Sequence, residues 1–389
     1  MTSSTSTRTV RALVAHGAGD VRVEEHPAPV PGPGQVAVRI AYGGVCGSDL
    51  HYWRHGRVGD FYLREPLTLG HEVVGTVLAA GPGATGAPAP GTPVAVHPAT
   101  PCGTCPECRS GRRNVCRAVR YLGSAAHLPH VQGGLVDVLV VPADQVIALP
   151  DGLSLLDAAV AEPAAVAWHA VSRAGDVRGA RVLVTGAGPI GALVVAALHR
   201  AGAAEVVVTD VAAEPLARAA AVGATTTVVV GPDAPAVDGR TPDEALAALE
   251  VDVAIESSGS PAGLGTCVRA VRRSGRVVTL GLLPPGDVPF PGNLVVTREV
   301  ELVGTFRFDH EIHDVLAALA DGSLVTGPVV THVLPLARAA EALELAGDPR
   351  RSGKVLLDLT DDLTDDLTDD LTDDLTDDLT DDAGGGATP

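Results

Sequence analysis

Four cysteines, Cys102, Cys105, Cys108 and Cys116, recur at a C-x2-C-x2-C-x7-C spacing. Thiolates that close together can wrap one ion tetrahedrally, which is the chemistry of a structural zinc. The loop around them is polar and rich in glycine and proline. Metal there would replace a core that the segment lacks; an iron–sulfur cluster or free thiols are the competing readings. A fifth cysteine opens the run Cys46-Gly47-Ser48-Asp49-Leu50-His51, and His71-Glu72 follows it. Together with the acid of Glu162-Pro163, these residues suit a second, open zinc site. Cys46 and His71 would ligate with Glu162 or Glu72, leaving one position for substrate. An ion so placed acidifies a bound alcohol, and Ser48 and His51 can relay the proton outward. Cys267 has no partner nearby in the sequence and reads as a buried core thiol.

A third group of residues points to a dinucleotide. Gly186-Ala187-Gly188-Pro189-Ile190-Gly191 follows a Val-rich run and opens an Ala-rich one. In a strand–turn–helix, Gly186 makes the tight turn, Gly188 admits a pyrophosphate and Gly191 allows close helix–strand packing. The helix N-terminus, beginning with Pro189 and Ile190, stabilises the negative charge. Asp210 lies nineteen residues beyond Gly191. A carboxylate there accepts from the ribose hydroxyls and repels a 2′-phosphate. No arginine follows before Arg218, which favours NAD over NADP. A plain Gly-rich turn is the competing reading.

These residues need two kinds of scaffold. Residues 8–42 and the runs at 72–79, 92–97 and 135–149 alternate short Val-rich strands with Pro/Gly turns, which predicts a β-rich domain. Its long loops carry most of the metal-ligand candidates. Leu155 to Ser172 reads as a helix. Strand candidates then follow at 182–185, 206–209, 228–230, 251–256 and 276–280, the first four separated by Ala-rich helical stretches. That alternation predicts a doubly wound parallel α/β sheet. The run 301–304, a helix at 309–320 and a strand at 354–359 are read as a return to the first domain. The expected boundaries are 8–156 and 300–358 for the metal-bearing domain and 157–299 for the cofactor domain.

Composition narrows the function further. The chain of 389 residues is 46% hydrophobic, enough for two cores. Its net charge is −19, but residues 359–382 are six copies of Leu-Thr-Asp-Asp, and without their twelve aspartates the balance is −7. No basic stripe for nucleic acid exists, and the acidic balance argues against anionic membranes. Met1 to Val10 lacks an apolar signal segment. Clustered cysteines in such a chain favour metal over disulfides and imply a reducing cytoplasm. The tail 359–389 reads as disordered, because Thr and Asp are poor helix formers and paired Asp charges repel.

Over roughly residues 8–358 the chain resembles the zinc-dependent medium-chain alcohol dehydrogenases, sorbitol dehydrogenase-like branch. Gly43 to Trp53, Gly56-Arg57-Val58-Gly59-Asp60-Phe61, Leu69-Gly70-His71-Glu72 and Glu162-Pro163 carry the resemblance. It implies a GroES-like catalytic domain beside a Rossmann domain, two zinc ions per subunit and a homodimer or homotetramer. The apolar run Gly281 to Val296 is a candidate for the joining sheet edge. It also implies that Glu162 ligates the catalytic zinc or holds its water. Gly304-Thr305-Phe306-Arg307-Phe308 resembles the substrate-binding segment, so that Arg307 meets a substrate hydroxyl or carboxylate and Tyr52 lines the pocket. The stretch Tyr121 to Gly134 looks like that of L-idonate 5-dehydrogenases, with His127 or His130 able to assist Arg307. A sugar acid, L-idonate first, is therefore the expected substrate. A sorbitol- or xylitol-type polyol is the alternative. A non-catalytic relative is disfavoured, because Cys46, His71 and Glu162 are all present.

Overall fold

The computed structural model describes residues 9–360. Two sheets dominate it. One contains seven strands in the order 146–148, 93–96, 72–80, 35–44, 354–358, 330–335, with strand 138–142 also pairing strand 35–44. Strands 9–17, 20–27 and 67–68 form a small sheet beside it. The second large sheet has six parallel strands. Numbered in chain order they run 3-2-1-4-5-6: Thr226–Val229, Glu205–Asp210, Arg181–Thr185, Val251–Glu256, Val271–Thr279 and Glu301–Gly304. That order is the dinucleotide-binding one, with its switch point between the first and fourth strands.

The parallel strands bury Val, Leu and Ile on both faces. Val182, Leu183, Val184, Val206, Val207 and Val208 are almost wholly inaccessible. That is the signature of a sheet covered by helices on either side. Helices Pro189–Arg200 and Ala161–Ala174 pack together on one face. Cys267 is buried on the other, its sulfur 3.5 Å from Thr185 Oγ1, as expected for a core thiol.

Three expectations change. Glu301–Gly304 does not return to the first domain; it pairs in parallel with Val271–Thr279 and ends the six-stranded sheet. Helix Glu311–Ala320 likewise packs Ile312, Val315 and Leu316 into the cofactor-domain core. The chain rejoins the first sheet only at Val330–Pro335 and Lys354–Asp358. The sequence pattern could not show this, because a four-residue apolar strand fits either sheet. The run 281–296 supplies no edge strand, since helix Gly292–Thr297 occupies part of it and 301–304 forms the edge. Finally, Leu359 belongs to the core and not to the tail: it is buried, and its N–H donates to Ala41 O over 2.9 Å. Thr360 N–H donates to Asp358 Oδ1 at 2.7 Å, and the remainder of the tail, 361–389, lies outside the described residues.

Candidate metal centres and cofactor crevice

Cys46 caps the helix Gly47–His55 and lies in extended backbone just before it. His71 precedes the strand Glu72–Ala80. These two turns are tied by Asp49, a fully buried carboxylate that accepts from the Cys46 N–H at 2.9 Å and from the Gly70 N–H at 3.0 Å. The result is a compact set: donor atoms of Cys46, His71 and Glu72 lie within 4.8 Å of one another. Glu72 needs close backbone approach, because a Cβ on Gly44 would lie 2.0 Å from its Oε2. Lys354, the chain's single lysine, completes the floor. Its Nζ donates to Glu72 Oε1 and Oε2 at 2.8 and 2.6 Å and to Val45 O at 3.1 Å.

Glu162 enters from the other domain, in the first turn of helix Ala161–Ala174. It accepts from Tyr121 Oη at 2.7 Å. Tyr121 stands edge-on to the His71 ring at 5.4 Å, and the Arg307 guanidinium lies 4.1 Å above its face. Burial lifts the Tyr121 pKa well above its ordinary value, so it stays a donor. Burial also raises the Glu162 carboxyl to about 7, helped by the Glu72 charge and opposed by His71. Burial disfavours a charged His71, yet Cys46, Glu162 and Asp49 raise it to about 10. The same negative groups would also favour a bound cation. The Nδ1 of His71 and the Oγ of Ser48 are buried and have no hydrogen-bond partner among the described residues. The donor set and these open positions fit zinc.

The four cysteines of the lobe also come together, their sulfurs within 4.8 Å of one another and Cys105 and Cys116 3.9 Å apart. Four ligands on a tetrahedral zinc stand about 3.8 Å apart. Backbone N–H groups aim at the sulfurs, from Cys102 to Cys116 at 3.3 Å and from Cys105 to Cys102 at 3.4 Å. Donors from Thr104 and Cys105 bring the Cys102 thiol down to about 6, while burial and the neighbouring sulfurs push Cys108 up to about 12, so four thiolates would form together only around a cation.

In the cofactor crevice Gly186 has φ +88°, and a Cβ on Gly191 would lie 2.0 Å from Gly186 O. A Cβ on Gly188 would meet nothing within 4 Å, which leaves the space a pyrophosphate needs. Helix Pro189–Arg200 begins there, with Pro189 and Ile190 in its first turn. Asp210 ends the second strand and accepts from Ala187 N–H at 2.8 Å and Ala212 N–H at 3.0 Å. The Arg218 guanidinium bonds Pro349 O and lies near enough to Asp210 for the two charges to attract.

Some expected positions differ. Tyr52 is a core residue of the catalytic domain, and its hydroxyl accepts from Ala125 N–H at 2.9 Å; its volume was needed for packing. The rings of His127 and His130 are taken up by backbone groups in and beside the 121–134 loop. The His127 ring bonds Val119 O at 2.8 Å, and His130 accepts from Arg64 N–H at 3.0 Å. His51 is exposed, three residues after Ser48 on the same helix and 5.7 Å from the His55 ring. Asp49, Tyr121 and Lys354 join the site through tertiary contacts that the sequence does not show.

Residues 32–151 match the alcohol dehydrogenase GroES-like domain, and residues 189–321 match the zinc-binding dehydrogenase domain. L-idonate 5-dehydrogenase (NAD(P)(+)) of Escherichia coli is 37% identical over 320 residues, 82% of this chain and 90% of that one. Sorbitol dehydrogenase of Gallus gallus is 37% identical over 339 residues, 86% and 92%. The solved L-idonate 5-dehydrogenase from Escherichia coli superposes with a TM-score of 0.84 at 35% identity, covering 90% of this chain and 99% of that one. No helix among the described residues is long and apolar enough to cross a membrane. The chain belongs to the zinc-dependent medium-chain alcohol dehydrogenases of the polyol and sugar-acid type, and it is an oxidoreductase acting on CH–OH.

Proposed function

We propose that the enzyme oxidises a secondary alcohol of a sugar acid with NAD, and that L-idonate, giving 5-keto-D-gluconate, is its substrate. The observation that carries the sugar-acid reading is Arg307. Its guanidinium lies over Tyr121 and close to Glu162, beside the Cys46–His71–Glu72 cluster. A permanent cation there can hold a carboxylate while the alcohol carbon faces the reacting groups.

Cys46, His71 and Glu72 are the residues that would hold the catalytic zinc, and the four lobe cysteines would hold a second. Glu72 would act with its charge balanced by Lys354. The zinc supplies Lewis-acid polarisation that makes the substrate hydroxyl more acidic. Asp49 fixes the two ligand-bearing turns through backbone N–H groups. Glu162, held by the Tyr121 hydroxyl, stands ready as the proton-accepting carboxylate of the pocket. Ser48, whose buried Oγ has no hydrogen-bond partner among the described residues, would pass the proton toward exposed His51 on the same helix face. Asp210 favours NAD, since its carboxylate can exchange backbone partners for ribose hydroxyls and would repel a 2′-phosphate. We place the enzyme in the cytoplasm, as a homodimer or homotetramer.

A polyol such as sorbitol or xylitol is the second reading, favoured by sorbitol dehydrogenases as similar as the idonate enzyme. Arg307→Ala separates the two. The sugar-acid reading expects KM for L-idonate to rise about a hundredfold, as losing a charge-assisted bond does, with KM for sorbitol nearly unchanged. Equal losses on both substrates would remove the carboxylate role.

A further inference from the structure

Arg307 has φ +53°, a left-handed conformation that a long L side chain adopts only when its surroundings impose it. The segment around it is held from three directions. On the amino-terminal side, Thr305 N–H donates to Thr279 O at 3.1 Å. On the carboxyl side, Asp309 N–H donates to Glu311 Oε2 at 2.7 Å, and His97 Nε2 bonds Asp309 O at 2.9 Å. The third hold comes from the four-cysteine lobe. Asn114, buried, donates through Nδ2 to Phe306 O at 2.9 Å. Its neighbour Arg113 donates through Nε to the Asp309 carboxylate at 2.9 and 3.1 Å, and its Nη2 lies 2.8 Å from Oδ1.

Arg113 and Asn114 occupy the short 3-10 turn Arg113–Val115, between the ligand candidates Cys108 and Cys116. A metal that closes this loop also sets where the turn can reach. We propose that the lobe is a positioning element for substrate recognition: through Asn114 and Arg113 it clamps residues 306–309 and so holds Arg307 over Tyr121. Asn114 is a positioning residue, because it touches the backbone that carries Arg307 and none of the reacting groups. The functional consequence rests on the proposed role of Arg307; the clamp itself does not.

The test compares wild type, Asn114→Ala and the more exposed Arg113→Ala, each as zinc-loaded full chain, with Arg307→Ala as reference. Amide hydrogen exchange across residues 304–309 is read first. Both clamp variants are expected to exchange about tenfold faster there, while the strand 181–185 is unchanged. Steady-state kinetics with L-idonate should then show KM raised roughly tenfold and kcat altered less than about twofold. Asn114→Gln, which keeps the donor, should recover part of the loss. Unchanged exchange in both variants overturns the proposal. So does unchanged KM in both while Arg307→Ala raises it. If Arg307→Ala leaves KM unchanged, the substrate role of Arg307 fails and the exchange rates alone decide the clamp.

Discussion

The two donor sets of this enzyme are built on opposite plans. The lobe takes all four sulfurs from one stretch of fifteen residues, Cys102 to Cys116, with no core beneath it: of its cysteines only Cys116 is buried. The catalytic set takes Cys46 from a helix cap, His71 and Glu72 from a strand start, and Glu162 from a helix of the other domain. Its members are fixed by groups far away in sequence, Lys354 above all, 282 residues from Glu72. A local set would owe its shape to a bound metal, whereas the proposed catalytic set owes its shape to the fold. The local site is nevertheless not isolated, because its turn reaches the segment bearing Arg307.

The largest effect expected from this contrast follows from breaking the fold's hold on the catalytic set. Lys354→Met removes the cation paired with buried Glu72, which in the metal-free protein leaves that charge uncompensated at a cost of about 3–5 kcal/mol. The denaturation midpoint should fall accordingly, with the catalytic zinc weakened and the lobe zinc retained by metal analysis. A midpoint within experimental scatter of wild type would show that the pair is not a stability element. Breaking the lobe instead should be milder and differently distributed. Cys108→Ser should release one zinc equivalent of two and open residues 102–117 to limited proteolysis. Turnover should stay within about threefold while KM for L-idonate rises roughly tenfold. Loss of turnover with KM unchanged would disconnect the lobe from Arg307 and tie it to the reacting groups.

The same contrast explains what was legible in the sequence. Cys102, Cys105, Cys108 and Cys116 were legible because their spacing is itself the geometry. Gly186, Gly188, Gly191 and Asp210 were legible because each answers a backbone demand within one strand–turn–helix unit. Cys46 and His71 could be named as ligand types, but the choice between Glu72 and Glu162 depends on tertiary placement. The structure puts Glu72 in the compact set beside Lys354 and Glu162 against Tyr121. Tyr52 depends on tertiary placement in the same way. An amphipathic aromatic in a signature can face pocket or core, and only packing against the 121–134 loop decides. The strand 301–304 was assigned to the wrong sheet because pairing partners are not local. Asn114 carries no sequence signal at all; its amide matters through a carbonyl 192 residues away.

The central claim is a sugar-acid dehydrogenase that uses NAD, and initial rates test it most directly. The zinc-loaded protein is assayed for NAD reduction with L-idonate, sorbitol, xylitol and D-gluconate at equal concentrations. The account predicts the highest kcat/KM for L-idonate, with 5-keto-D-gluconate as product. A higher kcat/KM for sorbitol or xylitol would contradict it, and would leave the zinc and cofactor chemistry serving a polyol.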